Sequence, residues 1–368
     1  VSTVRALVIS NMYPSAESPA SGVFVKRISE QMVSHGIAVE HVVKGNGRSK
    51  VAGYLKFYFS SFWASLISRH DLIYLHFPSH SFPAVWLALA VRNVPLVVHV
   101  HGADVAPDRP GRLRQALVRF MTARALQRAA LVIAPSPYFR ALVSSEFPRT
   151  SGKIRVSPSG GVDTDFLKYV PVKSRPRRRV LFLGRLIRGK GAHLLIDAAR
   201  LLQKTHPELA YDLVFAGEGP EMNSLKEQAD SLVGIQSTFL GQIAPESVPS
   251  VIADCDVLVF PSYRRGESLG LVALEAMACG KPVVAALNGA MDGIIDHEVN
   301  GYLFSPNQPG ELADALLSLI SMDHDRLAIM SRLARTRAEE YSSSTVGAQH
   351  STLLHRLITE RESGGHVS

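Results

Sequence analysis

Cysteine is almost missing from this chain of 368 residues, where only Cys255 and Cys279 occur. Two cysteines cannot build the disulfide framework of a small secreted scaffold, so a reducing, cytoplasmic setting is expected. No apolar run reaches the roughly 18 residues that a membrane-spanning helix needs. Residues 1–10 read as a strand, without the cleavage pattern of a signal peptide. Zinc-finger spacing and aromatic RNA-binding signatures are lacking, and the basic residues form no long tail. Nucleic acid is therefore not an expected partner, despite a formal net charge of +8. An anionic membrane, a phosphorylated substrate and a merely solvated basic face remain as explanations. The cations gather at residues 109–128 and 173–185.

What is present describes an ordinary globular chain long enough for two cores. Short Val/Leu/Ile-rich runs alternate with amphipathic stretches. In the first half the candidate strands are 5–10, 37–43, 71–77, 95–100, 130–135 and 154–157. Helix-like stretches at 24–35, 81–91, 113–127 and 138–146 lie between them. Around residues 162–178 the pattern breaks at Pro171, Pro176 and a basic run, which reads as a linker. A second series follows, with strands at 179–183, 211–216, 236–240, 255–260, 282–286 and 302–304. Its helices fall near 192–204, 221–232, 270–279, 310–319 and 326–338. The expected class is α/β, with two doubly wound parallel sheets that bind ligands beyond the strand C-termini. The expected domains are 1–170 and 178–340, with a last helix at 341–360 crossing back to the first.

Two segments carry the chemistry. After the strand at 180–183 comes Gly184-Arg185-Leu186-Ile187-Arg188-Gly189-Lys190-Gly191. It nearly spells the phosphate-binding P-loop, but Gly191 stands where that motif needs a Ser or Thr to ligate magnesium. A glycine-rich turn with solvated cations and a metal-free diphosphate clamp by Arg185 and Lys190 are the other readings. The second segment is Glu267-Ser268-Leu269-Gly270-Leu271-Val272-Ala273-Leu274-Glu275, directly after the apolar run at 257–260. A helix starting near Gly270 offers free amides to an anion and puts Leu271 and Glu275 on one face. Two carboxylates flanking an anion site suit a ligand with a diphosphate, a sugar and a ribose.

Taken with Gly217-Glu218-Gly219-Pro220, Asn11-Met12-Tyr13-Pro14, Gly22-Val23-Phe24-Val25, His99-Val100-His101-Gly102 and Ser159-Gly160-Gly161-Val162-Asp163, these segments resemble the retaining glycosyltransferase family 4. The resemblance runs from about residue 4 to residue 341. The N-terminal loop is similar to bacterial enzymes of teichuronic acid and surface-polysaccharide synthesis. It implies the GT-B fold, two Rossmann-like domains facing across a cleft. The implied reaction transfers a sugar from a nucleotide sugar, a UDP- or GDP-sugar, to a hydroxyl acceptor with retention, without an essential metal or other cofactor. By position, Arg185 and Lys190 would hold the diphosphate and Glu275 the ribose. Glu267, with the amides around Leu269, Gly270 and Leu271, would hold the donor sugar. Gly22 and Gly184 would permit close backbone approach, Gln242 and Ile243 would lie beside the base, and His101 would face the donor sugar. The implied acceptor is a glycan or a polyprenyl-diphosphate-linked glycan, as in exopolysaccharide, capsule or cell-wall synthesis. The alternatives are a P-loop-like nucleotide hydrolase or kinase and a non-catalytic sugar-nucleotide-binding protein.

Three Asp-x-Asp triplets match a short metal-binding pattern, at Asp163/Asp165, Asp254/Asp256 and Asp323/Asp325. They read as decoys, the third as a helix cap. Residues 50–69 are aromatic-rich and flanked by Lys50 and Arg69. They either pack on the first sheet or lie on the inner face of an anionic cytoplasmic membrane as a peripheral contact.

Overall fold

The computed structural model describes residues 3–15, 18, 21–45, 49–67, 69–107 and 111–364. Arg109, at the start of the first basic cluster, lies outside the described residues. The chain divides into two compact units, unit 1 at residues 1–161 with 343–368 and unit 2 at residues 162–342.

In unit 1 the strands are β1 (Val4–Ser10), β2 (Ile37–Val43), β3 (Leu72–His76), β4 (Leu96–His99), β5 (Leu131–Ala134) and β6 (Ile154–Val156). They form one parallel sheet in the order β2-β1-β3-β4-β5-β6. Its helices are α1 (Val23–Ser34), α2 (Lys50–Ile67), α3 (Pro78–Val91), α4 (Gly102–Val105), α5 (Arg112–Arg128) and α6 (Pro137–Glu146). The inner strands β1, β3, β4 and β5 are apolar nearly end to end because both faces are covered. Leu7, Ile9, Ile73, Leu75 and Val98 pack beneath Phe57 of α2, Phe82 and Val85 of α3, Leu126 of α5 and Phe139 of α6. The alternate residues Ala6, Val8, Leu72, Tyr74 and Val97 meet Val25, Ile28 and Met32 of α1 on the other face.

Unit 2 repeats the plan with β7 (Arg178–Leu183), β8 (Tyr211–Ala216), β9 (Ser237–Gly241), β10 (Val257–Phe260), β11 (Val283–Ala286) and β12 (Gly301–Phe304). The sheet order is β12-β11-β10-β7-β8-β9, again all parallel. Its helices are α7 (Ala192–Thr205), α8 (Met222–Asp230), α9 (Val248–Ala253), α10 (Leu271–Ala278), α11 (Pro309–Ile320) and α12 (His324–Glu340). The last helix, α13 (Ser343–Gly364), returns to unit 1, where Leu354 joins the α1 face of the core.

The segment that reads as a linker is a packed part of unit 2. Val172 joins that unit's core and Leu167 is buried. The Arg335 guanidinium donates to the carbonyls of Leu167 and Thr164. Arg175 and Arg177 of the basic run are tied to Asp254, Asp256 and Asp212. Its prolines and cations mark a strap held by ion pairs, and the unit boundary falls between Gly161 and Val162 rather than at residue 170.

Candidate functional site

In unit 2 the chain runs outward from β7 through β8 to β9, then returns to place β10 on the other side of β7. The loops after β7 and β10 therefore diverge at a topological switch point, where open parallel sheets leave a crevice for ligands. Both chemistry-bearing segments of the sequence lie here. The first loop is held by glycines. Gly191 has φ +77°, and a Cβ there would sit 2.3 Å from the Pro261 carbonyl oxygen. The Ser or Thr of a P-loop has no room at this position. Gly217 and Gly219, after β8, have the same need: a Cβ on either would fall within about 2.2 Å of the carbonyl oxygen of Gly184 or Leu186. The Leu186 amide then donates to the Glu218 carbonyl at 2.8 Å. This backbone-on-backbone packing is what the Gly-Glu-Gly-Pro run provides.

Lys190 and Glu267, far apart in sequence, form a salt bridge with Nζ to Oε2 at 2.7 Å. Both side chains are largely buried, at 17% and 12% exposure. Ser262 Oγ donates to the same carboxylate oxygen at 2.9 Å, and Asn288 Nδ2 donates to the Ser262 carbonyl at 2.6 Å. The ammonium also lies 5.4 Å from the centre of the Phe260 ring at the end of β10. Burial works to raise the Glu267 carboxyl, but the Lys190 charge, the bonds from Lys190 and Ser262 and the nearby Arg264 outweigh it and hold Glu267 below the usual carboxylate range. Glu267 is therefore an anion at neutral pH. It can accept hydrogen bonds from hydroxyls but has no proton to donate as a general acid.

Gly270 caps α10 in the left-handed region (φ +77°) and supplies no side-chain cap to that helix. A Cβ on Gly270 would press 2.3 Å from Met291 Cε. Leu269 is buried, whereas Leu271, Val272 and Glu275 are the residues of the first turns not fully covered. Leu271 and Glu275 do share one face, one turn apart, beside the first backbone donors of the helix. Gly184 (φ +150°) opens the β7 loop and leaves Arg185 exposed. Gln242 is exposed and Ile243 half-buried just after β9. One rim of unit 2 thus holds a cation, a salt-bridged anion–cation pair, the N-terminal end of α10 and a half-buried carboxylate. Sequence reasoning missed Ser262, which bonds Glu267 directly, and Asn288, which reaches it through the Ser262 carbonyl with no motif of its own.

In unit 1 the sheet order reverses between β1 and β3. Gly22 caps α1 with φ +70°, and a Cβ there would meet the Met12 carbonyl oxygen at 2.7 Å. This glycine is demanded by its own loop. His101 is buried (7% exposed) within a stack of rings. Its centroid lies 4.7 Å from His99 and 5.4 Å from His76, with interplanar angles of 12° and 18°. The Asp104 amide donates to the His101 side chain, and His101 Nε2 lies 3.1 Å from His76 Nδ1. Tyr74 bonds His99 at 2.8 Å and Ser157 bonds His350 at 2.9 Å. Burial lowers all four histidines, His101 to about 3 and His350 to about 4. The His101 ring is thus packed and hydrogen-bonded within unit 1, at the N-terminal end of α4. The stack itself was readable only with β3 and β4 paired, since His76 and His99 are register partners.

The Asp-x-Asp triplets are occupied. Asp163 Oδ1 accepts the amides of Asp165 and Phe166, and Asp254 pairs with Lys173, Arg175 and Arg179. Asp323 caps α12 by accepting the Arg326 amide at 2.8 Å, as its position predicts. Among the described residues no three His, Cys, Asp or Glu are grouped to hold a metal.

Two known families match the chain. Residues 163–337 match the glycosyl transferases group 1, and residues 18–166 match glycosyltransferase family 4. The D-inositol 3-phosphate glycosyltransferase of Pseudarthrobacter chlorophenolicus is 32% identical over 300 residues, 76% of this chain and 69% of that protein. In Corynebacterium proteins of the same description the chain spans about half the relative's length. A GDP-mannose-dependent alpha-(1-6)-phosphatidylinositol monomannoside mannosyltransferase of Mycobacterium tuberculosis is 29% identical over 288 residues, 73% of this chain and 72% of that one. The fold is similar to the solved sucrose-phosphate synthase of Thermosynechococcus elongatus, with TM-score 0.78, 20% identity, and 97% and 100% of the two chains covered.

Proposed function

This chain belongs to glycosyltransferase family 4, with the GT-B fold, and from that premise we propose that it transfers a sugar from a nucleoside-diphosphate sugar to a hydroxyl acceptor with retention at the anomeric carbon. The observation that carries the reading is the Lys190–Glu267 pair at the unit 2 switch point, flanked by Arg185 and the N-terminal amides of α10. Arg185, Lys190 and those amides hold the diphosphate and meet the negative charge that grows on it as the bond to the sugar breaks. Glu275 accepts from the ribose hydroxyls, and Gln242 and Ile243 border the base. Glu267, kept anionic by Lys190, accepts from the donor sugar and positions it. Gly22 and Gly184 shape the loops, and His101 acts as a positioning residue.

In the proposed step the anomeric carbon–phosphate oxygen bond breaks and the acceptor oxygen bonds to the same face of that carbon. The acceptor proton passes to the departing phosphate. No carboxylate nucleophile is needed, which agrees with a Glu267 already neutralised by a lysine. No metal is needed where two cations and helix amides carry the charge. The P-loop alternative loses support from Gly191, whose Cβ position is filled by the Pro261 carbonyl. We further propose a cytoplasmic setting, with a glycan or polyprenyl-diphosphate-linked acceptor in bacterial exopolysaccharide, capsule or cell-wall synthesis. The relatives' names make D-inositol 3-phosphate an acceptor to include.

The test is a transfer assay with UDP-, GDP- and ADP-sugars against hydroxyl acceptors in EDTA, with the anomeric configuration of the product read by NMR. A product of retained configuration, formed without metal and lost in Lys190→Ala and Glu275→Ala, supports the reading. Donor binding without transfer would favour the non-catalytic alternative. Transfer undiminished in both variants would overturn the residue roles.

A further inference from the structure

Helices α2, α3 and α5 lie side by side on one face of the unit 1 sheet, and their inner residues fill its core. Their outer residues are unusual. Along α2, Val51, Leu55, Phe59, Trp63 and Ile67 recur every four residues and are all exposed, although Phe57, Ser61 and Ser65 of the same helix are buried. This spacing is a single helical stripe facing away from the sheet. Trp86, Leu87 and Val91 continue the exposed apolar surface on α3. Trp86 also touches Phe120 of α5, edge to face with ring centres 6.5 Å apart. In α5, Leu113, Leu117 and Phe120 are exposed, Leu113 at 86%. Every residue from Arg112 to Leu117 is exposed.

The charge on these helices has one sign. They carry Lys50, Lys56, Arg112, Arg114, Arg119, Arg124 and Arg128 and no Asp or Glu, in a chain whose totals are 40 basic and 32 acidic residues. Arg119 pairs with Glu146 of α6. Another, Arg124, lies over the Phe120 ring. An apolar face with interspersed arginines and tryptophans matches the boundary of a bilayer, where rings and methylene stems enter the acyl region and cations stay with the headgroups. A second copy of the chain fits poorly, since a symmetric contact would oppose cation to cation. No helix among the described residues is long and apolar enough to cross a membrane, so the face would lie on the surface of the bilayer.

We propose that the outer face of α2 and α3 and the first turns of α5 dock unit 1 onto an anionic lipid bilayer. The inference is independent of the donor-site roles, and its test uses neither donor nor acceptor. Both tryptophans of the chain, Trp63 and Trp86, lie on this face, so intrinsic fluorescence reports it directly. The full chain is mixed with vesicles of phosphatidylcholine plus phosphatidylglycerol and, separately, of phosphatidylcholine alone. Binding is read by flotation and by quenching with brominated lipid. Flotation with the anionic vesicles, a blue-shifted and quenched emission, and release by salt are expected. The double variant Arg112→Glu/Arg114→Glu should lower the bound fraction at least about tenfold. A second variant, Leu113→Ser/Leu117→Ser, should lower it as well, with circular dichroism and melting unchanged in both. Absence of binding, binding that ignores lipid charge, or binding untouched by either variant would overturn the proposal. So would a concentration-dependent dimer that disappears in Leu113→Ser/Leu117→Ser.

Discussion

Units 1 and 2 share a six-stranded parallel sheet with a reversal beside its first strand, yet they put charge in opposite places. Unit 2 brings charge to the switch point: Lys190 against Glu267, Arg185 exposed nearby, and Glu275 in the first turns of α10. Unit 1 instead stacks histidines stripped of protons by burial at the ends of β3 and β4, and carries a run of cations on α5. The same kind of parallel sheet therefore ends in two different loop chemistries. A rim of paired, half-buried charges can meet a diphosphate, because its dipoles and ions are set before the ligand arrives. A neutral ring stack brings no such charge to its loop ends. The difference is one of side chains at equivalent loop ends, and fold alone would not reveal it.

The largest effect that could break this contrast is at Lys190. Lys190→Ala should cut kcat/KM for transfer by about a hundred- to a thousand-fold, measured by steady-state kinetics with saturating acceptor. The equivalent change in unit 1, His101→Asn, should act mainly on stability, with a smaller kinetic loss. Equal kinetic losses would erase the distinction between the two ends.

The next effect is acid sensitivity. The four stacked histidines have folded values below their unfolded value of about 6.5. Below that value the unfolded chain takes up protons the folded stack refuses, so stability falls as pH falls, by up to about 1.4 kcal/mol per pH unit for each histidine. Asp104 opposes them. Burial raises it to about 6, so it binds its proton more readily when folded and adds stability as pH drops between about 6 and its ordinary 3.8. Four groups against one leave a net loss on acidification. Glu267 behaves differently, since its lowered value keeps its contribution until pH falls through the folded value, below the usual carboxylate range. Melting curves from pH 7 to pH 5 should show the loss, and His350→Phe should flatten it. An unchanged slope in that variant would remove the stack as its source.

Gly191→Ser completes the P-loop sequence and so tests the clamp against the hydrolase. With φ +77° and the Pro261 oxygen at 2.3 Å from a Cβ, the variant should lose about 1–3 kcal/mol of stability and gain no ATP hydrolysis. Asp323→Ala is the smallest case. It should cost about 0.5–2 kcal/mol through the α12 cap and leave transfer rates alone, whereas an Asp-x-Asp metal site would show a metal-dependent loss.

Much of the fold was legible because buried parallel strands are short apolar runs, and every strand of both sheets lies within a residue or two of its expected place. The short helices Gly102–Val105 and Val248–Ala253 were not legible, being too brief to show a period. Proline and arginine at 171–178 suggested a free linker, and only the carboxylates of distant Asp212, Asp254 and Asp256 reveal a strap. At the site, the glycines and charged residues could be named from their spacing. The Lys190–Glu267 bond could not, because it joins two loops that only the β7–β10 adjacency brings together. The same holds for His76 under His101, which needs the β3–β4 register.

The most direct measurement is calorimetric binding of UDP, GDP and ADP to the full chain in EDTA, repeated with Lys190→Ala and Glu275→Ala. One nucleoside diphosphate should bind without metal and, at a hundred-fold excess over its Kd, raise stability by about 2.7 kcal/mol, with both variants losing most of the affinity. Binding that appears only with magnesium, or that survives intact in Lys190→Ala, would contradict a diphosphate site built from the unit 2 rim.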